Sequence, residues 1–205
     1  MTDPCKTAKK FWTDAARYPN YGTTKQRRLH ELNYLVPRLK GNTLIDLGCG
    51  DGALLNCLLN LTEFKKFYGF DISKCLLNNL HPSIQKQVID FYDFNPKILP
   101  QSDAVIMAGV IAYIFNDDVV DHVLGSLPTN ELFLRVPCTL KSKRELINSY
   151  STDLDSEYAS IYRTLSEVTD LIKPHFDIIS VDRVYPDSIE SKYDTKQYYI
   201  HGTKK

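Results

Sequence analysis

The stretch Thr43–Leu55, TLIDLGCGDGALL, joins a short buried strand to a glycine-rich turn and then to an apolar helix. Thr43, Leu44, Ile45 and Leu47 surround Asp46, a pattern of β-branched and apolar residues that suits a strand covered on both faces. Gly48 and Gly50 let the backbone turn tightly and approach a ligand with no Cβ in the way. Asp51 is placed to cap the following helix, and Gly52 relieves its first turn. Ala53, Leu54, Leu55, Cys57, Leu58 and Leu59 then carry an apolar stripe back over the sheet.

Such a turn serves two cofactor classes, and the acids separate them. Gly48, Gly50 and Ala53 fit the G-x-G-x-x-G/A pattern of dinucleotide sites, with Asp71 suitably far downstream for a ribose. An oxidoreductase using NAD(P) is therefore open on the glycines alone. Asp46 tilts the reading, because a carboxylate beside a pyrophosphate repels it, whereas a sulfonium and an ammonium are attracted. An acid two residues before Gly48-x-Gly50-x-Gly52 resembles the first motif of class I S-adenosylmethionine-dependent methyltransferases.

The resemblance continues along the chain. Phe67–Ile72, FYGFDI, reads as a second strand ending in Asp71, which matches the family's ribose-binding carboxylate, with Ile72 on the adenine face. Gln87–Phe91, QVIDF, places Asp90 and Phe91 where the family meets adenine's amine and ring. A fourth strand, Ser102–Met107, leads to Ala108-Gly109, where the family's backbone passes under the cofactor. The resemblance thus implies a cofactor site of Asp46, Gly48, Cys49, Gly50, Asp71, Ile72, Asp90, Phe91 and Gly109, holding S-adenosylmethionine and, after transfer, S-adenosylhomocysteine. Tyr113 occupies a position where related sequences often carry histidine. With an ordinary pKa near 10, tyrosine is a poor base at neutral pH, so we assign it to orienting the acceptor.

The 205 residues are 43% hydrophobic, ordinary for one globular domain, and 25 basic residues balance 25 acidic ones. That balance disfavours a dedicated nucleic-acid binder. The adenine-methylating signature Asn/Asp-Pro-Pro-Tyr/Phe is replaced by Met107-Ala108-Gly109-Val110, which disfavours DNA-base methylation. Five cysteines without a C-x-x-C pair and five scattered histidines predict neither disulfides nor a metal site, and point to a reducing, cytoplasmic setting. The longest apolar run, Ala104 to Phe115, is too short to span a membrane, and the first ten residues are polar.

The expected fold is α/β: a doubly wound, Rossmann-like seven-stranded sheet with an antiparallel C-terminal strand and helices on both faces, in one domain over 1–205. Helices are expected near 25–39, 51–60, 73–80, 117–126 and after Ser166, which would cap the last. Strands are expected near 43–47, 66–71, 86–90, 102–108, 131–136, 176–184 and 196–201. Residues 1–40 form a lead-in and lid, and 137–163 an insertion covering the cleft. Trp12, Tyr21, Tyr158, Tyr162 and Arg163 are the expected acceptor-facing residues of these lids, although aromatics there also suit a small satellite core. A compact domain without an added recognition module favours a small-molecule acceptor for O- or N-methylation. A protein or tRNA acceptor rests only on the clusters Lys25, Arg27, Arg28 and Lys141, Lys143, Arg144. A cofactor-binding protein without turnover is the remaining class, and the oligomeric state is open.

Overall fold

A computed structural model of the chain describes residues 3–14, 24–152, 154–190 and 194–205. Asp3 caps the first helix, α1 (Pro4–Thr13), through a bond from the Cys5 amide, and Pro4 supplies a preset φ at its start. Thr24 caps α2 (Lys25–Leu35), and the chain then enters β1 (Thr43–Leu47). The alternation continues through α3 (Ala53–Leu61), β2 (Lys66–Asp71), a single turn α4 (Lys74–Leu77), β3 (Gln85–Val88), β4 (Ser102–Ala108), α5 (Asp117–Ser126) and β5 (Thr129–Thr139). A hairpin of β6 (Glu145–Ser151) and β7 (Ser156–Tyr162) precedes α6 (Leu165–Ile172), β8 (Phe176–Arg183) and β9 (Thr195–Lys204).

Among the described residues, seven strands make one sheet in the order β3-β2-β1-β4-β5-β9-β8. The first five are parallel, while β9 runs antiparallel between β5 and β8. The chain leaves β1 to one side, reaches β3, and returns to the other side at β4. Crossovers therefore diverge at the carboxyl ends of β1 and β4 and open a crevice there. Strand alternation sorts the core into two layers. Ile45, Leu47, Val105, Met107, Leu132 and Leu134 face α5 and α6, whereas Leu44, Ala104, Ile106 and Phe133 face α2 and α3.

Several boundaries differ from the expectation, each for a local reason. The helix α6 is capped by Thr164, not Ser166: the Thr164 hydroxyl accepts from the Glu167 amide while the Glu167 carboxylate accepts from the Thr164 amide. The lead-in helix ends at Leu35, although Leu39 is still buried after it. The third strand stops at Val88 and is exposed throughout, as an edge strand can be. Beyond 136 the chain does not leave the sheet: β5 pairs with β9 as far as Thr139. The hairpin that follows packs its β7 strand against α1, with Phe11 edge-on to Tyr158. The outer strand β8 slips register between Ile178 and Ser180, inserting one residue into the border.

Arg163 requires a correction, because it is a structural pin and does not face the cleft. It is 1% exposed, donates from Nη1 to the Ile111 carbonyl and from Nη2 to the Ile114 carbonyl, both at 2.8 Å, and pairs with Asp117. It thereby fastens the end of the hairpin to the segment after β4. Arg163→Ala takes its donors from the Ile111 and Ile114 carbonyls and from Asp117, and leaves Ile111 only the bond from the Ile114 amide, so we expect a loss of about 3 kcal/mol in folding free energy. Urea unfolding should show the midpoint fall accordingly; an unchanged midpoint would remove the pin from the fold's supports.

Candidate functional site

The crevice at the ends of β1, β2 and β4 has a cavity volume of about 130 Å³ and opens to solvent. Its floor is Gly48, Gly50, Asp71 and Ile72. Ile89, Asp90, Phe91 and Tyr92 close one end, and Ala108, Gly109, Val110, Tyr113 and Ile114 the other. The roof is α1, whose Cys5, Ala8, Lys9 and Trp12 follow the i, i+3, i+4, i+7 spacing of one helix face. This helix falls within residues 1–40, expected as a helical lead-in and lid carrying Trp12, but its own bounds, marked by the Asp3-Pro4 start and that spacing, were not drawn there.

The turn after β1 is shaped from below and from the side. The Phe70 carbonyl accepts from both the Gly48 and Cys49 amides, at 2.7 and 3.1 Å. Gly48 has φ +80°, and a Cβ there would lie 2.2 Å from the Val110 side chain, so the approach of β1's turn to the segment after β4 requires glycine. Among the described residues beyond its chain neighbours, no atom lies within 4 Å of where a Gly50 Cβ would sit, which leaves that side of the turn open to them.

Asp71 lines the cleft at 7% exposure, with Oδ2 accepting from the Gly50 amide and Oδ1 from the Ser73 amide, each at 2.8 Å. Burial raises its pKa and these amide bonds oppose the rise. Each oxygen keeps a further lone pair for a ligand. Asp90 lies at the opposite rim, its Oδ1 accepting from the Tyr92 amide and its Oδ2 paired with Lys9 of the roof at 2.5 Å. Ile72, Phe91 and Gly109 line the cleft as well.

Asp46 and Cys49 do not line it. Cys49 is buried with its thiol pushed up by desolvation, and its amide is spent on Phe70. Asp46 sits beneath the turn at 2% exposure, and its Oδ1 has no hydrogen-bond partner among the described residues. Burial first, then the charges of Asp71 and Glu31, push its pKa up to about 8 against the pull of Arg135. A buried carboxyl with an orphaned oxygen is an unfilled acceptor.

At the β4 end, the Tyr113 hydroxyl meets that of Tyr158 at 2.9 Å, and its ring lies 4.7 Å from Trp12. Burial pushes the Tyr113 pKa up to about 12. Tyr158 and Tyr162 stand outside the lining, so the satellite-core reading of these aromatics describes Tyr158 while Trp12 and Tyr113 face the cleft. Tyr21 lies outside the described residues. Sequence reasoning missed a row of buried charge on the α2 side of the sheet. Glu31, 2% exposed, receives the Tyr185 hydroxyl and lies 3.0 Å from Arg135 Nε, while Arg135 Nη1 donates to Gln197 at 2.9 Å. Nothing in the pattern around Glu31 or Arg135 distinguishes them from surface charge. Among the described residues, no group of acidic, histidine and cysteine side chains has a metal-binding arrangement, and no helix is long and apolar enough to cross a membrane.

Residues 45–127 match the family model described as a methyltransferase domain. No curated protein shows detectable similarity to the chain. Solved structures share its fold. The DhpI complex with S-adenosylhomocysteine superposes with TM-score 0.68 at 14% identity, covering 98% of this chain and 96% of that one. A candidate S-adenosylmethionine-dependent methyltransferase from Listeria monocytogenes gives 0.67 at 20% identity over 89% of this chain and all of its own. An S-adenosylmethionine-dependent methyltransferase from Clostridium acetobutylicum gives 0.65 at 14%, covering 89% and 92%.

The Asp46 carboxyl makes stability pH-dependent with a definite sign. It keeps its proton in the folded state up to about pH 8 but loses it near 4 when unfolded, so it costs stability progressively as pH rises from about 4 to 8. Asp46→Asn should raise the stability of the ligand-free protein at pH 8 and flatten this slope in thermal melts from pH 5 to 9. Parallel wild-type and variant curves would show that Asp46 ionises freely.

Proposed function

We infer from the matched domain and the sheet order that this chain is a class I S-adenosylmethionine-dependent methyltransferase, and that it methylates a small-molecule acceptor in the crevice between β1, β4 and α1. The observation that carries the reading is the cleft's acid chemistry. Asp71 lies on the floor, the unfilled oxygen of Asp46 lies beneath the turn, and Asp51 Oδ1 accepts from the Ala53 amide. That amide opens α3, where a dinucleotide's pyrophosphate would need a free donor and no neighbouring carboxylate. Asp71 and Asp90, the two acids that line the cleft, suit the hydroxyls and base of a nucleoside instead.

When bound, S-adenosylmethionine supplies a methyl carbon activated by positive sulfur. The turn at Gly48 and Gly50, with Asp46 below it, would hold the methionine end. Asp71 offers two oxygens to a pair of ribose hydroxyls, and Ile72, Asp90 and Phe91 surround the base. The Gly109 backbone runs beneath, while α1 excludes water from above. Methyl transfer needs alignment of the acceptor more than a strong base. Tyr113, protonated up to about pH 12 and held by Tyr158, is suited to donating a hydrogen bond and not to taking a proton.

Several features favour a small acceptor over RNA. In the basic clusters, Lys141 pairs with Glu145, Arg144 with Asp117 and Glu167, and Arg27 donates to the Ile189 carbonyl. The charges of Lys141 and Arg144 are thus offset inside the chain, which leaves fewer for phosphates.

Calorimetric titration with S-adenosylhomocysteine should show saturable binding, and NAD none; binding of NAD alone would overturn the reading. Asp71→Asn should weaken the homocysteine nucleoside by about 1.5–3 kcal/mol, the scale of charge-assisted hydrogen bonds. An unchanged dissociation constant would take Asp71 out of the site.

A further inference from the structure

Lys9 reaches down from the roof to the acid at one end of the cleft, and both residues line it. Its ammonium lies 2.5 Å from Asp90 Oδ2, while Asp90 Oδ1 accepts from the Tyr92 amide at 3.0 Å. The two oxygens are thus held by two different donors, one on the roof and one on the rim, and this fixes the plane of the carboxylate. Each oxygen keeps a lone pair for a ligand. The hydrogen bond to Asp90, then the charge of Asp90, raise the Lys9 pKa, and Asp93 adds to them, so the donor stays protonated.

The rim needs this support because of where it hangs. Asp90 follows β3, the edge strand, which pairs with β2 alone among the described residues. Past Val88 the ladder continues through a bond from the Ile89 amide to the Asp71 carbonyl at 3.0 Å, and Asp90 comes after it. The roof is seated independently of Lys9. Phe11 lies edge-on to Tyr158, Trp12 packs on Tyr113, and the Ser73 hydroxyl donates to the Thr13 carbonyl at 3.2 Å. A helix anchored at those points offers Lys9 from a set position, next to the buried Ala8.

We propose, resting on the cofactor reading above, that Lys9 is a positioning residue for base selection: it holds the Asp90 carboxylate in the plane that accepts from an exocyclic amine and repels an oxygen at the same place on the ring. An aminopurine nucleoside is taken and its oxopurine counterpart refused. An ionised carboxylate offers acceptors only, so an N–H meets it favourably and a carbonyl oxygen does not. A carboxylate released from Lys9 turns away from the carbonyl oxygen and loses most of that distinction. The pair sits at the rim, with 52% of the Lys9 side chain and 18% of the Asp90 side chain exposed, so the effect is modest in size.

The test titrates S-adenosylhomocysteine and S-inosylhomocysteine, which carries an oxygen in place of the purine amine, into the full chain by calorimetry. The wild type should prefer the amine by at least about ten-fold, the scale of one charge-assisted hydrogen bond. Lys9→Met keeps the stem and removes the ammonium; it should cut the ratio to about three-fold or less, and Lys9→Arg should restore it. In an Asp90→Asn background the Lys9→Met change should leave the ratio where it is, since the group it positions is gone. A roof that Lys9 merely steadies would weaken both nucleosides alike in Lys9→Met with the ratio unmoved, and that result would overturn the proposal. Tighter binding of S-adenosylhomocysteine to Lys9→Met, making Lys9 a competitor for Asp90, or equal affinities in the wild type would overturn it too. A wild type that binds neither nucleoside removes the cofactor reading and the proposal with it, whereas binding with the wrong ratio removes the proposal alone.

Discussion

The end of β2 holds the turn of β1 in place. One carbonyl, that of Phe70, takes both the Gly48 and Cys49 amides, and the next residue, Asp71, takes Gly50. Three successive donors that would otherwise close onto their own strand are thus drawn toward a neighbour. The turn stands open above Gly50 as a result, while the first turn of α3 can begin at Gly52 with its leading amide satisfied by Asp51. Without this tie, neither the crevice between the diverging crossovers nor the placement of the floor carboxylate would follow from sheet topology alone, because topology opens a gap without shaping its base.

The same arrangement explains why some of the molecule was readable in advance. Buried parallel strands announce themselves as apolar runs, so β1, β2 and β4 fell where Thr43–Leu47, Lys66–Asp71 and Ser102–Ala108 lie. The floor residues followed because glycine and acid at strand ends have few other uses. What escaped was set by tertiary contact. The bounds of the roof helix within the expected 1–40 lid were hidden because it looks polar in sequence, with one narrow stripe facing the cleft. The pinning role of Arg163 depends on carbonyls of Ile111 and Ile114, some fifty residues away in the chain. Asp46 was singled out by its position, yet no pattern revealed that it would be sealed below the turn and not exposed within it.

The layer facing α2 is unusual in where it spends charge. Glu31, Asp46 and Arg135 lie together among Tyr185 and Tyr199, whose hydroxyl is buried without a partner. Groups of this kind usually diminish folding stability relative to an apolar layer of the same shape. They lie behind the junction of β1, β4 and β5, so the cost falls beside the crevice.

The inserted residue at Ile178–Ser180 bears on how the molecule meets its neighbours. A sheet ending in a straight ribbon with Ile179 and Val181 outward would offer an unbroken ladder of amides and carbonyls to any extended peptide. The kink throws the rungs out of step, so an incoming ribbon could match one half of the border or the other but not both. Two exposed aliphatic side chains are tolerated there because the backbone beside them makes a poor template for accretion.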